Sequence, residues 1–166
     1  MATVQSLFGE NVNPLEIVEQ LAADEDWCFD RSADDELNLT VAGTWSDYHV
    51  CFNWHQELEG LHLACTFEAK VPLVKCDDVT KLMTRINEQL WLGHFDLWRK
   101  EGAILYRNGL LLAGGAEANQ AQCETMLRLA IEASERYYPA FQFVMWAGKS
   151  ADEALEAALL ETMGTA

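Results

Sequence analysis

The stretch ELNLTVAGTWSDYHVCFNWHQELEGLHLACTF, Glu36 to Phe67, decides the fold. Its apolar residues recur at every second position. Leu37, Leu39 and Val41 alternate with Asn38 and Thr40, and Tyr48, Val50, Phe52 and Trp54 alternate with His49, Cys51, Asn53 and His55. Leu61, Leu63, Cys65 and Phe67 repeat the pattern beyond Glu59-Gly60. A period of two places one set of side chains on each face of a strand. Gly43 to Ser46 and the Glu59-Gly60 region read as turns. The stretch therefore predicts an antiparallel meander with one buried and one largely polar face.

On either side of it the period becomes helical. Asn13-Pro14-Leu15-Glu16 reads as a helix start, with Asn13 as cap and Glu16 completing a capping box. Ile17, Val18, Leu21 and Ala22 supply its stripe, and Asp24-Glu25-Asp26 end it. Trp27-Cys28-Phe29 is expected as a short edge strand, followed by a turn over Ser32 to Asp35. A second helix is expected over residues 77–92, with Val79, Leu82, Met83, Ile86 and Leu90 inward and Gly93 as its stop. Two strands follow, Phe95 to Arg99 and Ala103 to Leu112, broken by Gly114-Gly115. Asn119 with Gln122 opens a third helix over 119–138, and Ser150 with Glu153 opens a short terminal one. Pro139 leaves open whether the third helix kinks or divides. The order α-β-β-β(-β)-α-β-β-α with a terminal helix implies an α+β fold, an antiparallel sheet packed against helices. The chain is expected to form one domain over 1–166, with its core over 13–161.

Composition narrows the function. The 166 residues carry 27 acidic and 11 basic side chains, a formal charge of -16. Such a surface repels phosphate backbones, so no nucleic-acid partner is expected. A protein or peptide partner with a basic or apolar face suits it better. Cysteines 28, 51, 65, 76 and 123 form no Cys-x-x-Cys pair and read as free thiols of a reducing compartment. The opening MATVQSLFGENVNP has neither a basic region nor a long apolar run, and no stretch is long enough to span a bilayer. The expected location is the cytoplasm, with no membrane contact.

Several motifs invite chemical readings. Gly148-Lys149-Ser150 ends like a phosphate-binding loop, but the position five before Gly148 is Phe143 and no glycine-rich turn precedes it. It reads instead as a helix stop and the next cap. His49, His55 and His62 share the polar strand face, without a compelling third ligand for a metal. Pairing Leu58 with Leu61 would set His55 beside Ala64 and Glu57 beside His62, whereas a shorter loop would bring the two histidines together. Glu57 and Glu59, and Asp77 and Asp78, are carboxylate pairs, but nothing in their spacing places one in a cleft as acid or base. Cys51 and His49 lack a third, orienting group. His94 has no evident partner. No catalytic residue, metal or cofactor is expected, and the chain is read as a non-enzyme.

Two longer stretches carry a resemblance. They are LWLGHFDLWRKEGAILYRNGLLLAGG, residues 90–115, and ERYYPAFQFVMWAGKSADEALEAALLE, residues 135–161. With the order of elements, they make the chain similar to the YbjN-like bacterial proteins, described as sensory-transduction regulators. Tyr106, Arg99, Arg107 and the 137–149 segment fall in those stretches. The resemblance implies a fold like that of the type III secretion chaperones, dimerisation, and capture of an extended partner polypeptide. It brings no catalytic motif, and the terminal helix is an addition to the simplest chaperones. The expected role is non-catalytic, chaperone-like or regulatory protein binding. The alternatives are small-molecule sensing and an enzyme with an unrecognised site. A homodimer is expected through helical surface, with Met126, Ile131, Tyr137, Tyr138, Phe141 and Trp146 as interface candidates.

Overall fold

Six antiparallel strands form one sheet in the order β1-β2-β3-β4-β6-β5. The computed structural model describes residues 13–164, with side chains up to 161. The reading of the first residues as lacking a leader falls on 1–12, outside the described residues. The elements are α1 (Leu15–Asp24), β1 (Cys28–Ala33), β2 (Glu36–Ala42), β3 (Asp47–His55), β4 (Gly60–Lys70), α2 (Cys76–Asn87), β5 (His94–Trp98), β6 (Ala103–Leu111), α3 (Gln120–Trp146) and α4 (Ala151–Gly164). A 3-10 turn, Leu73–Lys75, leads into α2. This is the α+β order that the changes of period imply.

Alternation sets the two faces. Phe29, Leu39, Val50, Cys65, Tyr106 and Phe95 lie side by side across all six strands on the inner face. There α3 joins the sheet through aromatic contacts. Phe141 lies 5.8 Å from Phe67 and 5.4 Å from Phe95, centroid to centroid, and Tyr137 meets Phe95 edge-on. Rings at these spacings add to what burial alone contributes. The core also takes in Leu15 and Val18 of α1, Val79, Leu82 and Ile86 of α2, and Ala154 and Ala158 of α4.

Local chemistry fixes the helix ends. Asn13 Oδ1 accepts from the Leu15 amide at 3.0 Å, while its Nδ2 donates to the Asp34 carbonyl at 2.7 Å. One side chain thus caps α1 and anchors the β1–β2 turn. At α3 the box is reciprocal, with Gln122 N on Asn119 Oδ1 and Asn119 N on Gln122 Oε1, both at 2.9 Å. At α4, Glu153 N donates to Ser150 Oγ at 3.3 Å and Ser150 N to Glu153 Oε2 at 3.1 Å. Ser150→Ala is therefore expected to lower stability by about 1 kcal/mol. Denaturant melts of the two forms check this, and equal midpoints would remove the cap from the account. Gly148, at φ +65°, ends α3 and lets the Lys149 amide reach the Phe143 carbonyl at 3.2 Å. The Gly-Lys-Ser triplet is a stop followed by a cap.

The structure corrects four boundaries. The β1–β2 turn is only Asp34-Asp35, because Ala33 still pairs with Glu36. Helix α2 ends at Asn87 rather than residue 92, since the Asn87 side chain turns to the sheet edge. Strand β5 begins one residue earlier, at His94. Pro139 does not divide α3, which runs through it to Trp146. The missing N–H of proline removes one helical bond there, and burial of Pro139 among core residues compensates.

Candidate functional site

All four helices contribute to the core on the inner face, and the outer face of the sheet carries polar rows. Cys28, Thr40, His49, Thr66, Leu105 and Asp96 form one row across the six strands. Asp30, Asn38, Cys51, Ala64, Arg107 and His94 form the next. Glu36, Asn53, His62 and Gly109 form a third. In the middle strands Cys51 and Ala64 are small. Taller groups stand around them, and Trp98 rises at one side, half exposed. The result is a half-open trough of about 510 Å³.

Asn53 and His62 also line a second cavity, of about 600 Å³, toward the β3–β4 turn. Its walls include Leu58, Leu110 and Leu111, with Leu58 and Leu111 largely exposed. From Thr66 to Gly60 the strand rises about 20 Å. A continuous surface thus runs from the trough to the cavity beside the β3–β4 turn.

Two hydrogen-bonded groups border the trough. Glu36 accepts from Ser32 Oγ at 2.8 Å and from the amides of Asn38 and Asn53 at 3.2 and 3.3 Å. These bonds, Ser32 first, hold its carboxyl below the usual range. Opposite, Arg107 Nε donates to His62 Nε2 at 3.2 Å and Arg107 Nη1 to Asp96 Oδ2 at 3.3 Å. Burial, and then Arg107 and His94, push the His62 pKa down. His62 is thereby held as a neutral acceptor at neutral pH.

All four histidines project from this outer face. His55 faces Gly60 and His62 faces Asn53, so the hairpin adopts neither pairing considered from the sequence. The turn takes four residues, Gln56 to Glu59, and Glu59 reverses the chain at φ +54°. Among the described residues no three His, Cys, Asp or Glu side chains gather to hold a metal ion. Burial, then Glu36, raises the Cys51 pKa, which disfavours its thiolate. Cys65 and Cys123 are pushed up to about 11 by burial. Asp77 pairs with Arg99 at 3.1 Å.

Side chains occupy part of each sheet edge. On β5, Asn87 Oδ1 accepts from Phe95 N at 2.8 Å and Nδ2 donates to Phe95 O at 3.0 Å. Asp96 Oδ1 takes the Leu97 amide at 3.0 Å. On β1, Arg31 reaches the carbonyls of Ala33 and Asp34 and pairs with Glu19 at 3.0 Å. A peptide adding a strand would have to displace these groups.

The six interface candidates are dispersed. Met126, Tyr137 and Phe141 are buried in the core, Ile131 and Tyr138 are half-buried against it, and Trp146 is exposed. Helix α4 packs against α3, and Arg85 of α2 pairs with Asp152 at 3.5 Å. Sequence reasoning did not single out Glu36, Asn53 or Asp96, and took Arg107 only as structure. Their one signal is alternation with core residues on the same strands.

No helix among the described residues is long and apolar enough to cross a membrane. No curated sequence matches the chain. A crystal structure of YbjN from E. coli, described as "a putative transcription regulator", resembles it with a TM-score of 0.53 at 11% identity, covering 89% of this chain and 93% of that one. At that identity the likeness is one of fold. The family model described as "Putative bacterial sensory transduction regulator" matches residues 14–143, which leaves α4 outside the match. That span takes in α1, the whole sheet, α2 and most of α3, and on it the chain belongs to the YbjN family.

Proposed function

We propose that the protein is a non-catalytic regulatory binding protein, and that its outer sheet face receives an extended polypeptide segment carrying basic and apolar side chains. The carrying observation is the continuous surface from Thr66 to Leu111, in which two mainly apolar cavities share Asn53 and His62 and carry carboxylates at their border. Charge supports a basic segment. Carboxylates in ion pairs among the described residues include Glu19, Glu68, Asp77, Asp96, Glu132 and Asp152. Asp30 and Glu36 are not among them, and Glu36 is held in place by uncharged donors only. A lysine or arginine of the segment would find both carboxylates beside the trough.

A photo-crosslinking amino acid at Thr66, in the producing cells, tests this reading. The expected result is a polypeptide adduct that is missing when the same group stands at exposed Lys81 on α2. Ala64→Trp fills the trough and should abolish the adduct, and Glu36→Gln should weaken it. An adduct indifferent to Ala64→Trp, or none at Thr66, overturns the reading. The trough volume also falls within the range of small-ligand sites, about 300–1,000 Å³. Small-molecule sensing is therefore the second reading. A bound small molecule in native mass spectra, lost with Ala64→Trp, would select it.

A further inference from the structure

Trp91 is 99% exposed, an unusual position for the largest apolar side chain. The segment that carries it is pinned. Tyr106 Oη donates to the Leu92 carbonyl at 2.9 Å, and Gly93 turns the chain at φ +73° against the Tyr106 ring. On the other side, Tyr137 Oη donates to Gln89 Oε1 at 3.4 Å and the Gln89 amide to the Ile86 carbonyl at 2.9 Å. The indole is thus held out by fixed backbone. Leu92 beside it is 60% exposed, and Leu159 of α4 is 52% exposed.

Two cavities open on this helical side, of about 360 and 290 Å³. Both are lined by Gln89, Arg136 and Tyr137. Trp91 and Leu92 line the first and Leu155 and Leu159 the second, so Arg136 stands between two apolar walls. Its guanidinium lies over the Tyr137 ring, 5.4 Å from the centroid. The chain has six arginines. Arg31, Arg85, Arg99, Arg107 and Arg128 each pair with a carboxylate. Arg136 has no carboxylate within ion-pair distance among the described residues. Its neighbour Glu132 is engaged by Arg128, at 3.1 and 3.3 Å, and Glu156 lines the far wall.

We propose that Trp91, Leu92, Arg136 and Leu159 form a second docking surface, which takes an apolar polypeptide segment bearing a carboxylate. Trp91 is the anchor, since a rigid aromatic at an interface concentrates binding energy. Arg136 supplies the charge complement, because a planar guanidinium already stacked on a ring loses little freedom when it takes a carboxylate. The net charge of -16 opposes an acidic partner at long range, but salt at physiological strength screens beyond about 8 Å. The preference of this groove is therefore local. It is also opposite in sign to that of the sheet face, so the two surfaces select different partners.

A random 12-residue peptide display library, selected on the full chain and counter-selected on Trp91→Ala, supplies the probe. Enriched peptides are expected to share apolar anchors and an Asp or Glu. A synthetic peptide and its Glu→Gln twin are then compared by fluorescence anisotropy. The twin should bind about tenfold more weakly, the scale of one charge-assisted hydrogen bond. Arg136→Gln should erase that difference, and Arg136→Glu should prefer a Glu→Lys twin. Trp91→Ala should weaken binding about 30-fold, as for a hot spot. Glu156→Gln should strengthen it. Both main variants change exposed groups, and unchanged thermal melts will show that they fold. No enrichment, enriched peptides without an acid, or affinities indifferent to Arg136→Gln overturn the proposal. So does sedimentation showing a dimer that Trp91→Ala dissociates, which would assign the surface to a second copy of the chain.

Discussion

Replacing Gly93 with alanine is expected to lower stability by about 3 kcal/mol. Two penalties add. At φ +73° a side chain strains the backbone, which for a single alanine costs on the order of 1 kcal/mol. The new methyl would also collide with the hydroxyl and ring of Tyr106, and it would come within 2.9 Å of the Arg107 carbonyl. Tyr106 cannot swing away, because it is 1% exposed and its hydroxyl is bonded to Leu92. Crowding of this kind costs about 1–3 kcal/mol. For a chain of 166 residues the sum corresponds to a fall in Tm of about 10 °C. Differential scanning calorimetry measures it directly. Tyr106→Phe removes the hydroxyl that the methyl would strike, so the double variant should be less destabilised than the sum of the two singles. Full additivity, or a loss under about 1 kcal/mol in the Gly93 variant, would mean that the turn relaxes and does not fix Trp91 in place.

Where burial follows a simple period, the sequence was legible. The alternation from Glu36 to Phe67 corresponds residue by residue to the inner and outer faces, because one face packs on helices and a slip of one residue would invert every side chain. The capping boxes at Asn119 and Ser150 were readable for a similar reason, since partner and donor lie three residues apart. Hairpin register was not. The separation of His55 from His62 depends on a left-handed residue at Glu59, and an acidic residue does not announce that conformation as glycine would. The lower part of the apolar arc on α3 was readable as apolar but not as covered. Two covers were open for it, α4 and a second copy, and α4 packs against α3. Arg107 illustrates the remaining gap. It sits on a strand that looks merely amphipathic, yet it joins His62 from β4 to Asp96 from β5, a relation set by strand order rather than by sequence distance.

The strand order β4-β6-β5 also leaves β5 as an edge, and an unprotected edge invites pairing with another chain. Asn87 covers part of this edge by copying the hydrogen bonds of a neighbouring strand. Its carboxamide both accepts from and donates to Phe95, at 2.8 and 3.0 Å. Asn87→Ala is expected to have two effects. The first is a loss of about 2 kcal/mol, since two half-buried backbone groups lose their partners and water satisfies them only in part. The second is association that rises with protein concentration, because Phe95 N and O become available to another strand. Asn87→Asp separates the effects. It keeps an acceptor for the Phe95 amide, sets a carboxylate against the Phe95 carbonyl, and leaves a charge on the edge. It should therefore be destabilised while remaining dispersed. Denaturant melts give the first quantity, and sedimentation across a range of concentrations gives the second. An alanine variant with an unchanged midpoint and no added association would show that the edge is protected by other means, with Asp96 and its bond to the Leu97 amide the first to examine. An alanine variant that loses stability but stays dispersed would confine Asn87 to a structural role and leave edge protection to the same carboxylate.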